Sequence, residues 1–189
     1  MDVASEYALA YALTTTAGVR AMLALAAVAI AAHFHVIHPP QAFAWLAAPL
    51  AMYVFGGLAV VELFADKVPL LDHALHVAQV ALKPAAAAVL VGGTLHAPSQ
   101  EALITLMVLG GLNALGVHAA IAGIRGASTV ATAGAGNPVV STAEDAGSIG
   151  SLVVAFVAPL IAAALAIGFT IALIVLARTA YVRARAIRG

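Results

Sequence analysis

The chain has 189 residues, 64% of them hydrophobic and only 8% charged, with a mean hydropathy of +1.09. Eight Lys and Arg balance eight Asp and Glu, so there is no basic surplus to attract a nucleic acid. A soluble exterior needs far more charge than this, and a chain without cysteine has no disulfide, thiolate metal site or cysteine nucleophile.

Several stretches reach the roughly 20 apolar residues that a helix needs to cross hydrocarbon. They are continuous and rich in Ala, Leu and Val, not alternating as barrel strands would be. The fold class is therefore all-α: one polytopic membrane bundle over residues 1–189 with about six transmembrane helices.

Residues 1–16 are mildly polar, and Ser5 with Glu6 can start a short helix at the interface. Met1 to Glu6 lacks the positive start of a cleavable signal, so the first membrane helix is expected to act as its own insertion signal. That helix is predicted over 18–37, with Arg20 near its start and His33, His35, His38 and Pro39-Pro40 at its end. The second runs over 43–65, with Trp45 at headgroup level.

A polar link follows, from Glu62 through Asp66, Lys67, Pro69 and Asp72 to His76. Pro69 stops the second helix and Asp72 is a plausible N-cap for the third, over 73–93. Lys83-Pro84 interrupts that helix. The fourth helix, 101–124, carries Asn113 and His118, which suit interhelical hydrogen bonds.

Residues 125–137, rich in Gly, Ser, Thr and Ala, read as a flexible loop. The fifth helix starts at Pro138, a good first-turn residue, and runs over 138–157 with Glu144 and Asp145 in its first third. Pro159 marks a turn into the sixth, over 160–181, and a basic tail occupies 178–189. Gly56-Gly57, Gly110-Gly111 and Gly147 with Gly150 offer small surfaces for close helix packing.

With six spans both termini share one side. Arg20, Lys67, Arg125 and the tail arginines then fall on that side, which the positive-inside rule makes cytoplasmic. Val54 to Leu58 resembles Val108 to Leu112 at an offset of 54, and Lys83-Pro84 falls on Asn137-Pro138 at the same offset. These matches suggest that helices 2–3 and 4–5 form a parallel repeat, as in many transporter folds.

Intramembrane charge is costly and marks function or obligatory pairing. Glu62 lies about a turn inside its apolar segment, in line with Asp66 at i+4. Lys83 is about ten residues into its helix, about 12–15 Å from the interface, too far for its stem to reach water. Glu144 and Asp145 lie two turns after Asn137-Pro138 and can pair with Lys83, Arg20 or Arg125. The candidate binding set is Lys83, Glu62, Asp66, Glu144, Asp145, Asn137 and Arg20.

Asp66, Asp72, His73 and His76 have ligand types and helical spacings that can hold a divalent metal, although pairing and capping also account for the acids. His33, His35 and His38 would need a partner such as His96 to hold a metal or haem. No Walker A loop, His-Glu-x-x-His or nucleophile elbow is present.

Gly18-Val19-Arg20-Ala21, Glu62-x3-Asp66-Lys67-Val68-Pro69-x2-Asp72, Lys83-Pro84 and Asn137-Pro138-x2-Ser141-x2-Glu144-Asp145 together resemble a family of small bacterial integral membrane proteins catalogued as a domain of unknown function. The resemblance covers about residues 14 to 181. It implies an all-helical fold in a bacterial inner membrane and supplies no activity.

Three function classes stay open. The leading one is binding or passage of a small solute or ion at broken helices. The others are a non-catalytic structural or assembly subunit, as a homo-oligomer or within a larger membrane complex, and a metal-dependent membrane enzyme. The bilayer is the one partner the sequence requires, and it identifies no cofactor.

Overall fold

A computed structural model describes residues 1–65 and 69–188, with side chains placed except at 69–77, 177 and 180–188. Asp66, Lys67 and Val68 lie outside the described residues. The elements are α1 (Val3–Val19), α2 (Ala21–His33), a short 3-10 helix (Gln41–Ala47), α3 (Pro49–Ala65), α4 (Pro69–Thr94), α5 (Gln100–Thr132), α6 (Asn137–Val157) and α7 (Pro159–Arg188). No strand occurs among the described residues, so the all-α expectation holds.

Helices α5, α6 and residues 159–176 of α7 are each long and apolar enough to cross a membrane. The 3-10 helix and α3, bent by 65° at their junction, together make a fourth candidate. Six helices of this kind are not found among the described residues. The predicted first span, 18–37, is cut at Arg20 and leaves α2 with only 13 residues.

The N-terminal segment differs most from expectation. It forms a 17-residue helix whose residues 8–10 and 12–18 are buried, not a short helix at an interface. Its side chains are almost uniformly small or apolar, so every face can meet a neighbour, and α1 packs against α4, α5, α6 and α7. A Cβ on Gly18 would stand 2.5 Å from Val117 Cβ and 2.7 Å from the Ala114 carbonyl, so glycine permits the approach to α5.

The direction of α2 follows from its contacts. Near the start of α1, Ala10 packs with Val91 and Leu95, and Glu6 meets His96, all at the end of α4. In the later half of α2, Val28 lies near Gly93, again at the end of α4. The chain therefore enters the bundle along α1, breaks at Arg20 and returns along α2 to the end it came from. Helix α7 runs alongside α1, with Tyr11 Oη donating to Thr170 Oγ1 at 3.3 Å and Val19 packing near Leu173, and continues toward the opposite end. The termini thus lie at opposite ends, which removes the premise for placing both on one side.

Three further expectations change. Helix α4 continues through Pro84 without a break. Helix α5 extends to Thr132, so most of the supposed loop 125–137 is helical; the turn is confined to 133–136, where Ala133 and Gly134 adopt left-handed φ of 50° and 88°. The two diglycines sit in unlike places. A Cβ on Gly110 would press on Val91 and Thr14, whereas at Gly56, Gly57, Gly147 and Gly150 it would meet nothing within 4 Å. Of these pairs, only Gly110-Gly111 is a close-packing surface. The suggested repeat also places Pro84 inside a helix and Pro138 in a first turn.

Candidate functional site at the apex of the helical hairpin

The break at Arg20 has a local cause and a distant remedy. Arg20 is extended (φ −134°, ψ 91°), although its N–H still bonds the Thr16 carbonyl at 2.7 Å and its own carbonyl accepts from Ala24 N–H at 3.2 Å. The first N–H groups of a helix have no intrahelical acceptor. Here they point into the protein core, where unsatisfied donors are expensive. Glu62, on α3, supplies the acceptors: Ala21 N–H donates to Oε1 at 3.0 Å, and Met22 and Leu23 N–H donate to Oε2 at 3.0 and 3.2 Å. A carboxylate suits this place twice, because bonds to an ionised acceptor are stronger and a helix N-terminus carries partial positive charge. Glu62 is 5% exposed.

The Arg20 side chain turns the other way, toward α6. It is 1% exposed, and its Nη2 lies 2.7 Å from Asp145 Oδ1, 3.5 Å from Glu144 Oε2 and 3.1 Å from Ser141 Oγ, to which it donates. Arg125, on α5, donates to both oxygens of Glu144, through Nε at 3.0 Å and through Nη2. Two arginines and two adjacent carboxylates thus form one chain of ion pairs. Although adjacent positions on a helix point about 100° apart, the long Arg20 side chain reaches both acids.

Lys83 is 3% exposed, and its Nζ lies 3.0 Å from Nδ1 of His118, also buried. Asn113 donates to Thr14 Oγ1 and Thr15 Oγ1 at 3.0 and 2.9 Å. Both residues make the interhelical bonds expected of them.

The structure therefore joins Arg20, Glu144 and Asp145 directly and places Glu62 across the same apex. Asn137 stands apart, its Nδ2 donating to Thr129 Oγ1 at 2.8 Å in the α5–α6 turn. Asp66 falls outside the described residues, as do the side chains of Asp72, His73 and His76. No group of three or more potential metal ligands occurs among the described residues. His96 meets Glu6, not the other histidines: Glu6 Oε2 accepts from its N–H at 3.1 Å and Oε1 lies 3.2 Å from Nδ1. His33 Nδ1 lies 3.0 Å from the Ala47 carbonyl, bracing the end of α2 against the 3-10 helix.

Beside the apex, α1, α5, α6 and α7 enclose a cleft of about 390 Å³. Its walls are largely apolar, with Val19, Ile121, Leu165 and Phe169 among them, and Glu144 contributes to it from the ion-pair chain.

The chain belongs to DUF4126, a domain of unknown function, whose family model matches residues 7–179. No curated protein and no solved structure matches it.

Proposed function

For this member of DUF4126 we propose binding or passage of a small solute or ion, with the hairpin apex and the buried Lys83–His118 pair as the site. The observation that supports it is the meeting, inside the bundle, of the α2 N-terminus with Glu62 and of the Arg20 side chain with Glu144 and Asp145. Helices that end inside a membrane bundle direct their terminal charge at ligands and coupling ions, and non-helical backbone at that depth is tolerated where protein or a cavity surrounds it. Glu62 occupies the place that an anionic group would take at such a terminus.

We place the protein in a bacterial inner membrane, with the end that carries Arg125, the α5–α6 turn and the C-terminal end of α7 in the cytoplasm. The α1 start and the turn at His96 then face the other side, and 1–33 is a re-entrant pair.

Flux into phospholipid vesicles tests the proposal, with a trapped pH-sensitive dye for protons and radiotracers for sodium, potassium and chloride. Protein-bearing vesicles should conduct at least one of these faster than empty ones. Lys83→Met, which removes an intramembrane charge worth about 2.5–3.5 kcal/mol on insertion scales, should abolish that flux while the variant still elutes as a folded species. Four ions moving no faster than through empty vesicles would refute ion passage. Unaltered flux in Lys83→Met would remove Lys83 from the path.

A further inference from the structure

The cleft between α6 and α7 contains a polar group that the fold leaves unused. Five polar side chains line it: Thr15, Thr16, Glu144, Ser148 and Ser151. Four have protein partners. Thr15 Oγ1 donates to the Tyr11 carbonyl and Thr16 Oγ1 to that of Ala12. Ser151 Oγ donates to the Ser148 carbonyl and lies 2.8 Å from Thr16 Oγ1. Glu144 is taken by the two arginines. Ser148 is 3% exposed, and its Oγ has no hydrogen-bond partner among the described residues. A helical serine in apolar surroundings ordinarily bonds back to the carbonyl four residues earlier; this hydroxyl makes no such bond.

We propose that the cleft binds a neutral, mainly hydrocarbon molecule carrying one hydroxyl or carbonyl group, which exchanges a hydrogen bond with Ser148. The volume, about 390 Å³, is at the lower end for small-molecule pockets. The occupant is uncharged, because Glu144, the ionic side chain among the lining residues, is already paired with Arg20 and Arg125. Leu165 and Phe169 are exposed at the perimeter of the bundle, so the molecule enters from the hydrocarbon. It is a freely dissolved lipophile, not a phospholipid. Ser148 lies near the middle of α6, about 14–17 Å from either end at 1.5 Å per residue, and a glycerolipid's ester groups stay at headgroup depth. This inference stands whether or not the apex conducts a solute.

Photolabelling in phospholipid nanodiscs tests it, with three diazirine probes: a long-chain alcohol, the matching alkane and a phospholipid bearing the diazirine on an acyl chain. The alcohol should label peptides from 140–169 about 5-fold more than the alkane, the worth of one neutral hydrogen bond. Ser148→Ala should bring the alcohol down to the alkane level and leave thermal melting unchanged, since no protein bond is lost. Gly147→Leu, at a position where an added Cβ meets nothing within 4 Å, should fill the cleft and suppress labelling by both. The proposal is overturned if alcohol and alkane label equally, if the phospholipid probe labels as strongly as the alcohol, or if Ser148→Ala leaves alcohol labelling intact.

Discussion

Among the described residues two helices start on a carboxylate, and they show what burial does to one chemical device. At α1, Asp2 accepts from Ser5 N–H at 2.7 Å, three residues along in the same chain and exposed to solvent. At α2, Glu62 accepts from three N–H groups some 40 residues away and is buried. Water can take over the first contact if Asp2 is lost. The second is shut away from water, so the same interaction passes from a local convenience to a condition of the fold.

A third start completes the contrast. Helix α7 also begins after a one-residue break, at Ala158 (φ −144°, ψ 72°). It opens with Pro159, which has no N–H to satisfy, and Leu160 and Ile161 beside it are exposed. No charge is recruited there. A broken helix by itself therefore does not mark a site; a buried break with intact donors does.

Removing the Glu62 carboxylate should have the largest effect. Glu62→Ala leaves three core N–H groups without acceptors, each costing about 1–3 kcal/mol. At about 2–4 °C per kcal/mol for a chain of this size, melting in detergent should fall by roughly 10 °C or more. Glu62→Gln keeps one acceptor oxygen and should fall between the variant and wild type. Equal melting of Glu62→Ala and wild type would show that α2 does not depend on this cap.

Arg20→Met comes next. It removes the Arg20–Asp145 contact while Glu144 retains Arg125, and breaking one partner of a buried pair costs about 3–5 kcal/mol. Pairing with Asp145→Asn should recover part of the loss in a double-mutant cycle. Additive losses would mean that the two do not interact.

The smallest effect belongs to Asp2. The Ser5 N–H and hydroxyl hold its carboxyl below the ordinary value of 3.8. Its contribution is therefore complete above pH 3.8 and fades as pH falls through the lowered value. Asp2→Ala should leave melting unchanged and only speed amide exchange in the first turn of α1. A change in global melting would put this cap on a par with Glu62 and erase the contrast.

How much of this was legible depended on whether the cause lay nearby in the chain. The expense of charge in an apolar segment singles out Glu62, Lys83, Glu144 and Asp145, and leaves Arg20 and Arg125 as available partners for the acids. All six are held in contacts inside the bundle. The hairpin was not legible. No proline marks Arg20, the apolar run continues past it, and the acceptor that stabilises the break is on another helix. Lys83-Pro84 gave the opposite error: a strong local breaker sits inside α4, where packing against α1 and α5 holds the helix together. Likewise, Gly126 to Thr132 looks like a loop by composition, yet continues α5, with Thr129 Oγ1 and Thr132 Oγ1 donating to the carbonyls of Arg125 and Ser128.

Amide hydrogen exchange at Ala21, Met22 and Leu23 tests the Glu62 cap most directly. In the wild-type protein these three amides should exchange as slowly as the α2 interior, although no helical carbonyl accepts from them. In Glu62→Ala they should exchange at least about 10-fold faster, the factor for losing roughly 1.4 kcal/mol of protection, and out of proportion to neighbours in α3. Unchanged protection of these three amides in Glu62→Ala would contradict the account.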